Sequence, residues 1–330
     1  MKTKPFLLKP ASKDYLWGGN RLNDDFGKNI ESSPLAETWE CSSHPDGESI
    51  VASGDNSGLP LSKLLWVHPE YLGTHSLNIT HGKPELPILI KLIDAKKDLS
   101  VQVHPDDDYA YRIEHSMGKT EMWYVLQAKS NAELVYGFTR NVTKEEVKSA
   151  IENNKIGNLL NYVPVKKNDL FYIEAGTVHA IGAGALIAEI QENSNITYRL
   201  YDYGRRDKHG RLRELHIDKA LEVANLSSSA SPKRPLRVLK YHKGNASELL
   251  CRCRYFQVER LQLNTETNRN LVPFQTEANS FHALLCTEGC GVIFGENFML
   301  NFFKGDCIFV PANSIPLQLH GKAHLLNVNC

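Results

Sequence analysis

Two stretches far apart in the chain share one grammar. "NDLFYIEAGTVH" (168–179) and "GDCIFVPANSIP" (305–316) align without a gap. Each opens with Asp in second place, continues as a short apolar strand and reaches Ala at a tight turn. A strand–turn unit used twice constrains the fold more than any single motif, because both halves must then solve the same packing problem in the same way. The surrounding pattern agrees. "PILIKLID" (87–94), "SVQVHP" (100–105), "EMWYVLQ" (121–127), "AELVYGF" (132–138), "DLFYIEAG" (169–176), "LIAEIQE" (186–192) and "ITYRLYDY" (196–203) are short, rich in β-branched or aromatic residues, and set off by Gly, Asn, Asp or Lys. Strand-like runs return at 256–264, 280–289, 291–295, 306–312 and 324–329. Many short strands at even spacing predict a β-sandwich or barrel in each half.

The repeat resembles the second conserved motif of cupins, whose jelly-roll fold it implies. The expected architecture is therefore mainly β: two cupin domains with a small helical insertion. The first is expected over 1–232 and the second, cupin-like and without a metal site, over 236–330. The Ser/Pro-rich "SSSASPKRP" (227–235) reads as the linker between them. Thr143 with Glu146 three residues later is a capping-box signature, and Val147, Ile151, Leu159 and Leu160 keep helical spacing, which predicts a helical insertion near 143–163. A second short helix is expected within "HPDDDYAYRIEH" (104–115), opened by acidic residues. The first copy of the repeat ends on His179, whereas the second has Pro316 there and can offer no ligand at that place.

Bulk properties narrow the function classes. Lys plus Arg equals Asp plus Glu at 38 each, and no polybasic run points to nucleic acid or an anionic membrane. No window approaches the length of apolar chain that spans a bilayer, and "PFLL" near the start is too short for a signal-peptide core. The seven cysteines are scattered with no CxxC pair, which reads as reduced buried thiols in a cytoplasmic protein.

The polar residues of the first half converge on one chemistry. Successive strand residues alternate faces, so Ser100, Gln102 and His104 in "LSVQVHP" look the same way. Glu121 opens another strand and His179 follows the turn "EAGTV". His and carboxylate are ordinary zinc ligands and the Gln amide supplies an oxygen. Gln102, His104, Glu121 and His179 would hold a divalent ion and leave a coordination position open, as a catalytic site requires.

"LSVQVHPDD", "GKTEMWYVL", "AGTVHAIGAG", "TYRLYDYGR", "YLWGG" (15–19) and "AETWECSSHP" (36–45) together resemble the short bacterial form of the type I mannose-6-phosphate isomerases. The likeness runs through most of residues 5–225 and is architectural beyond 240. It implies an isomerase that interconverts mannose 6-phosphate and fructose 6-phosphate by moving a proton between C1 and C2 through a cis-enediol or enediolate. It implies one Zn2+ per chain on Gln102, His104, Glu121 and His179. It also implies that Arg199 holds the substrate's charge, that Lys119 contacts substrate or moves the proton, that Ser100 lies near the phosphate, and that Glu189 is a pocket carboxylate able to relay protons.

Trp17 is expected to wall the sugar. Lys91, inside the apolar run "ILIKLID", needs a buried partner and is expected in the pocket. Larger relatives carry Asp four residues before the active-site Arg; this chain has Asn195, which can orient hydroxyls but not act as a base near neutral pH. That leaves the base open among Lys119, Glu189 and water or hydroxide on zinc. The charge-rich "RRDKHGRLRELH" (205–216) reads as a solvated turn, with a rim of the pocket as the alternative. Rival readings are a cupin-type phosphoglucose isomerase and a non-catalytic sugar-phosphate-binding cupin; a metal-dependent oxygenase is remote. The expected partner is a small sugar phosphate, with no nucleic acid and no membrane, in a monomer or homodimer.

Overall fold

In the structure, a computed structural model, residues 3–206, 209–229, 237–266 and 270–330 are described. The protein is mainly β, in three sheets stacked as layers. A six-stranded sheet runs in the order Leu170–Ile173, Glu121–Ala128, Ala185–Glu192, Ile88–Asp94, Glu37–Cys41, Ala11–Lys13. It lies at the centre, so both its faces are covered. That is why Ile88–Asp94 and Ala185–Glu192 are buried at every position and read as near-continuous apolar runs. One face (Ile90, Leu92, Met122, Ala188, Ile190) packs on Phe256, Phe281, Phe309 and Val328 of a ten-stranded C-terminal sheet. The other (Ile93, Trp123, Val125, Ile187) meets Leu134 and Ile181 of a five-stranded sheet. That sheet has the order Tyr198–Tyr201, Val101–Val103, His179–Ile181, Glu133–Phe138, Leu160–Pro164.

The repeat predicted from sequence is reproduced down to its hydrogen bonds. Asn168 and Gly305 both take positive φ (71° and 99°). The following Asp side chains accept from the backbone three residues back, Asp169 from Lys166 at 3.0 Å and Asp306 from Phe303 at 2.8 Å. Both units then join the neighbouring strand through matching pairs, Asn168–Val125 and Gly305–Cys286, each 2.8 Å from N to O.

Four expectations need amendment. The helix capped by Thr143 and Glu146 forms, but it ends at Glu152 and not near 163. Asn153 and Asn154 close it, Asn154 at positive φ, and Leu160–Pro164 is a strand. The runs 280–289 and 291–295 are one bulged strand, His282–Gly295. Of the expected linker 227–235, residues 230–235 lie outside the described residues; Ser228 and Ser229 are pinned to the first half, the Ser229 N–H donating to Phe138 O at 3.0 Å. The thiols are all free, but Cys290 is exposed and Cys251, Cys253 and Cys330 are only partly covered. The short helix expected in 104–115 forms as Asp107–Ile113 with Asp106 as its N-cap. The N-terminal strand Phe6–Lys9 pairs with Cys307–Val310 and on its other side with Ile50–Val51, so two strands from the start of the chain extend the last sheet.

Candidate active site

The site lies between the six- and five-stranded sheets, and each contributes one wall. On the five-stranded side the register puts Gln102 opposite both His179 and Arg199. On the six-stranded side Trp39, Lys91, Glu189 and Trp123 stand in one cross-strand row. Gly176, at φ 86° in the turn before His179, donates its N–H to His104 O at 2.8 Å, so one turn ties the two histidines together.

His104, Glu121 and His179 are fully buried, and one ligand atom from each lies within 4.8 Å of the others. Glu121 Oε1 is 3.2 Å from His179 Nε2, and its Oε2 is 3.7 Å from His104 Nε2. Both imidazoles are oriented from behind: His104 Nδ1 donates to Ile196 O and His179 Nδ1 to Thr177 O, each at 2.8 Å. This fixes the tautomer with the Nε2 lone pairs aimed inward, as metal-ligating histidines require. Burial, with Lys119 adding, holds His104 well below its usual pKa; burial also brings His179 down to about 4. Both rings are therefore neutral and ready to ligate. His104 Nε2 and both oxygens of Glu121 are buried without a hydrogen-bond partner. Burial, with Glu189 nearby, pushes Glu121 up to about 7. These orphaned acceptors, with His179 Nε2 converging on them, fit a divalent cation. Gln102 adjoins them through its Nε2, 3.5 Å from His179 Nε2, while its Oε1 accepts from Ser100 Oγ at 3.3 Å; a half-turn of the amide brings the oxygen to the cluster as a fourth ligand.

From this cluster a cavity of about 330 Å³ opens, and ten of its lining residues decide what it can hold: Trp17, Lys91, Ser100, Gln102, Lys119, Glu189, Asn195 and Arg199 from the sequence reading, with Glu37 and Arg213 besides. All the residues expected in the site are thus together, lining the cavity or at its buried end. Lys91 finds the partner its burial demands, Glu189 Oε1 at 3.1 Å, while Trp123 Nε1 donates to Glu189 Oε2 at 2.9 Å. Burial alone would raise Glu189, but Lys91 and Lys119 outweigh it and hold the carboxyl below its usual range. Lys119 Nζ sits 3.3 Å from Glu121 Oε2. Arg199 donates from Nε to Ser100 Oγ at 3.3 Å and from Nη1 to Glu214 O at 2.8 Å. Asn195 Nδ2 donates to Asp46 Oδ2 at 2.8 Å.

Sequence reasoning missed Tyr15, Glu37, Trp123 and Arg213. Tyr15 and Glu37 stood inside quoted motifs without a separate reason to be singled out. Glu37 is held by the Trp39 indole N–H at 2.8 Å, the same device that holds Glu189. Strand alternation puts Glu37 and Trp39 on one face and was the available signal. Most described residues of the loop 205–216 are exposed, as a solvated turn requires, but Arg213 lines the cavity, so the loop also forms part of its rim; Asp202, buried, holds it there through Arg205 and Arg213. Asp207 and Lys208 of that loop lie outside the described residues.

The catalytic-domain model of type I phosphomannose isomerase matches residues 6–142. Mannose-6-phosphate isomerase ManA of Bacillus subtilis is 38% identical, over 99% of both chains. The chain belongs to the type I phosphomannose isomerase family. A second relative in that family, the mannose-6-phosphate isomerase of Streptococcus mutans, is 35% identical over 98% of this chain and 97% of its own. The crystal structure of the Bacillus subtilis mannose 6-phosphate isomerase superposes with a TM-score of 0.88 at 34% identity, covering 99% of each chain. A phosphomannose isomerase from Salmonella typhimurium, at 16% identity, shares the fold with a TM-score of 0.75 over 99% of each chain. Like its family, this chain is an isomerase with a buried cluster suited to a metal ion. No described helix is long and apolar enough to cross a membrane.

Proposed function

We propose that the chain interconverts mannose 6-phosphate and fructose 6-phosphate by proton transfer between C1 and C2, with one zinc ion on His104, Glu121, His179 and Gln102. The observation that carries this reading is the buried cluster of His104, Glu121 and His179, with orphaned acceptors on the first two, beside a cavity lined by both cations and carboxylates. A divalent ion there supplies a Lewis acid that lowers the cost of negative charge developing on the substrate's oxygens.

The chain's own residues do the rest. Lys119 Nζ, buried beside Glu121, moves the proton. Glu189 is the weaker candidate for that role, because Lys91 and Trp123 already engage one oxygen each. Glu37 accepts hydrogen bonds from sugar hydroxyls, Asn195 orients them, and Trp17 shields the reacting carbons from water. Arg199 and Ser100 hold the charged end of the substrate. The work belongs in the cytoplasm, where the sugar phosphate is found. Residues 1–232 and 236–330 form the catalytic and supporting domains, with the N-terminal strand exchanged onto the second.

The test is turnover of mannose 6-phosphate and glucose 6-phosphate side by side by the zinc-loaded protein. Conversion of the mannose ester alone supports the reading. Preference for the glucose ester makes it a phosphoglucose isomerase, and tight binding of either without turnover makes it a binding protein.

A further inference from the structure

Resting on the isomerase reading, a row of contacts measures the cavity from the metal-ligand cluster outward. His179 Nε2 lies 3.5 Å from the Gln102 amide, Gln102 Oε1 accepts from Ser100 Oγ at 3.3 Å, and Ser100 Oγ accepts from Arg199 Nε at 3.3 Å. The row leads from the cluster to Arg199, so a sugar phosphate with C1 and C2 at the cluster would extend its C6 substituent toward the guanidinium. Arg213 enters the same cavity there, fourteen residues further along the chain.

Asp202, only 4% exposed, sets the position of Arg213, with 3.3 Å from Arg213 Nη1 to Asp202 Oδ1. The same carboxylate oxygen also binds Arg205, and Oδ2 has no hydrogen-bond partner among the described residues. One carboxylate shared by two guanidiniums leaves this end positive. Arg199 senses it: after burial, Arg213 is the largest influence lowering its pKa. An adjoining hollow of about 380 Å³ shares Arg213 and Tyr15 with this cavity. Two guanidiniums and a hydroxyl facing one space match a phosphate dianion, which accepts forked N–H donors and relieves their mutual repulsion.

We propose that Arg213, positioned by Asp202, is a specificity-determining residue that closes on the substrate phosphate with Arg199 and Ser100, selecting phosphorylated sugars. The Arg213 side chain is 29% exposed at the rim, so its replacement leaves the core intact.

The experiment compares the full-length zinc-loaded protein with Arg213→Gln, Arg213→Lys and Asp202→Asn. It reads kcat and KM for mannose 6-phosphate and the inhibition constant of inorganic phosphate. Arg213→Gln is expected to raise KM and the phosphate inhibition constant at least tenfold each, with kcat within about threefold, because a contact far from C1 and C2 adds binding equally to ground and transition states. Arg213→Lys recovers part of the loss and Asp202→Asn shows a smaller loss in the same direction. An unchanged phosphate inhibition constant in Arg213→Gln overturns the proposal, and so does a lower Tm with unchanged KM, which would make Arg213 a staple of the loop. If the wild-type protein turns over no mannose 6-phosphate, the isomerase reading fails by itself. Calorimetric binding of that ester to wild type and Arg213→Gln then decides the clamp: weaker binding by the variant supports it and equal affinity overturns it.

Discussion

The two copies of the strand–turn unit are built alike and used differently. Both begin with a left-handed residue, an Asp that caps the turn, and a buried strand. Beyond the turn they part. His179 in the first faces Glu121 and Gln102. Pro316 stands at its place in the second, where the interior is apolar: Leu284, Cys286, Phe302, Ile308 and Leu325. The C-terminal sheet also takes two strands from the first part of the chain, Phe6–Lys9 and Ile50–Val51, and presents aromatic rings to the central sheet, Phe281 and Phe309 stacking at 5.0 Å. One scaffold therefore supports a costly arrangement of buried polar atoms in one copy and a well-packed core in the other. The second copy stabilises the wall on which the first displays its site.

This contrast makes mutations in the two copies fail in opposite ways. The largest effect is expected at the ligands. His179→Ala and Glu121→Gln should each lower kcat at least a thousandfold and reduce bound zinc below one ion per chain, measured by elemental analysis, while Tm changes little in the metal-free state. In the second copy Phe281→Ala should cost about 3–5 kcal/mol of stability in urea unfolding, with kcat and KM of the folded fraction unchanged. Loss of activity without loss of stability there would break the division of labour.

Lys91 tests how the first copy tolerates its charges. Lys91→Met leaves Glu189 buried with only its indole donor, and should cost about 3–5 kcal/mol. The double change Lys91→Met, Glu189→Gln should recover most of that stability but not activity. Glu192 gives a pH signature. Burial, with Asp107 close, raises it from 4.5 to about 8. The folded protein thus retains a proton that the unfolded chain has released. Stability contributed by this group is lost as pH rises from about 4.5 to about 8. Glu192→Gln keeps the acceptor for the Thr120 N–H and removes the loss. Its advantage over wild type should grow across that window to a few kcal/mol at most, seen in chemical unfolding at several pH values. Thr143→Ala, which removes a capping box in the remote helix, should cost only about 1 kcal/mol and leave catalysis untouched.

Much of this was legible in sequence because it depends on local periodicity. Alternation placed Ser100, Gln102 and His104 on one face, and the repeat announced two similar halves. The ligand set and Arg199 came with the family motifs, and the structure places all of them together. Partnership across strands was harder to read. That Lys91 would meet Glu189, or that indoles would anchor Glu37 and Glu189, depends on register between strands distant in sequence. Which side chain of the charge-rich loop 205–216 would reach the cavity was not legible either, because Arg213 is set by an ion pair with the buried Asp202 outside the loop. The helix was drawn too long since Leu159 and Leu160 continue its spacing by coincidence, past two asparagines that end it.

The most direct test of the account strips the protein with a chelator and titrates zinc back while following mannose 6-phosphate turnover. The account predicts no activity in the stripped protein and linear recovery that saturates at one zinc per chain, with His104→Ala unable to recover. Full turnover by stripped protein, or one bound zinc per chain with no turnover, would contradict it.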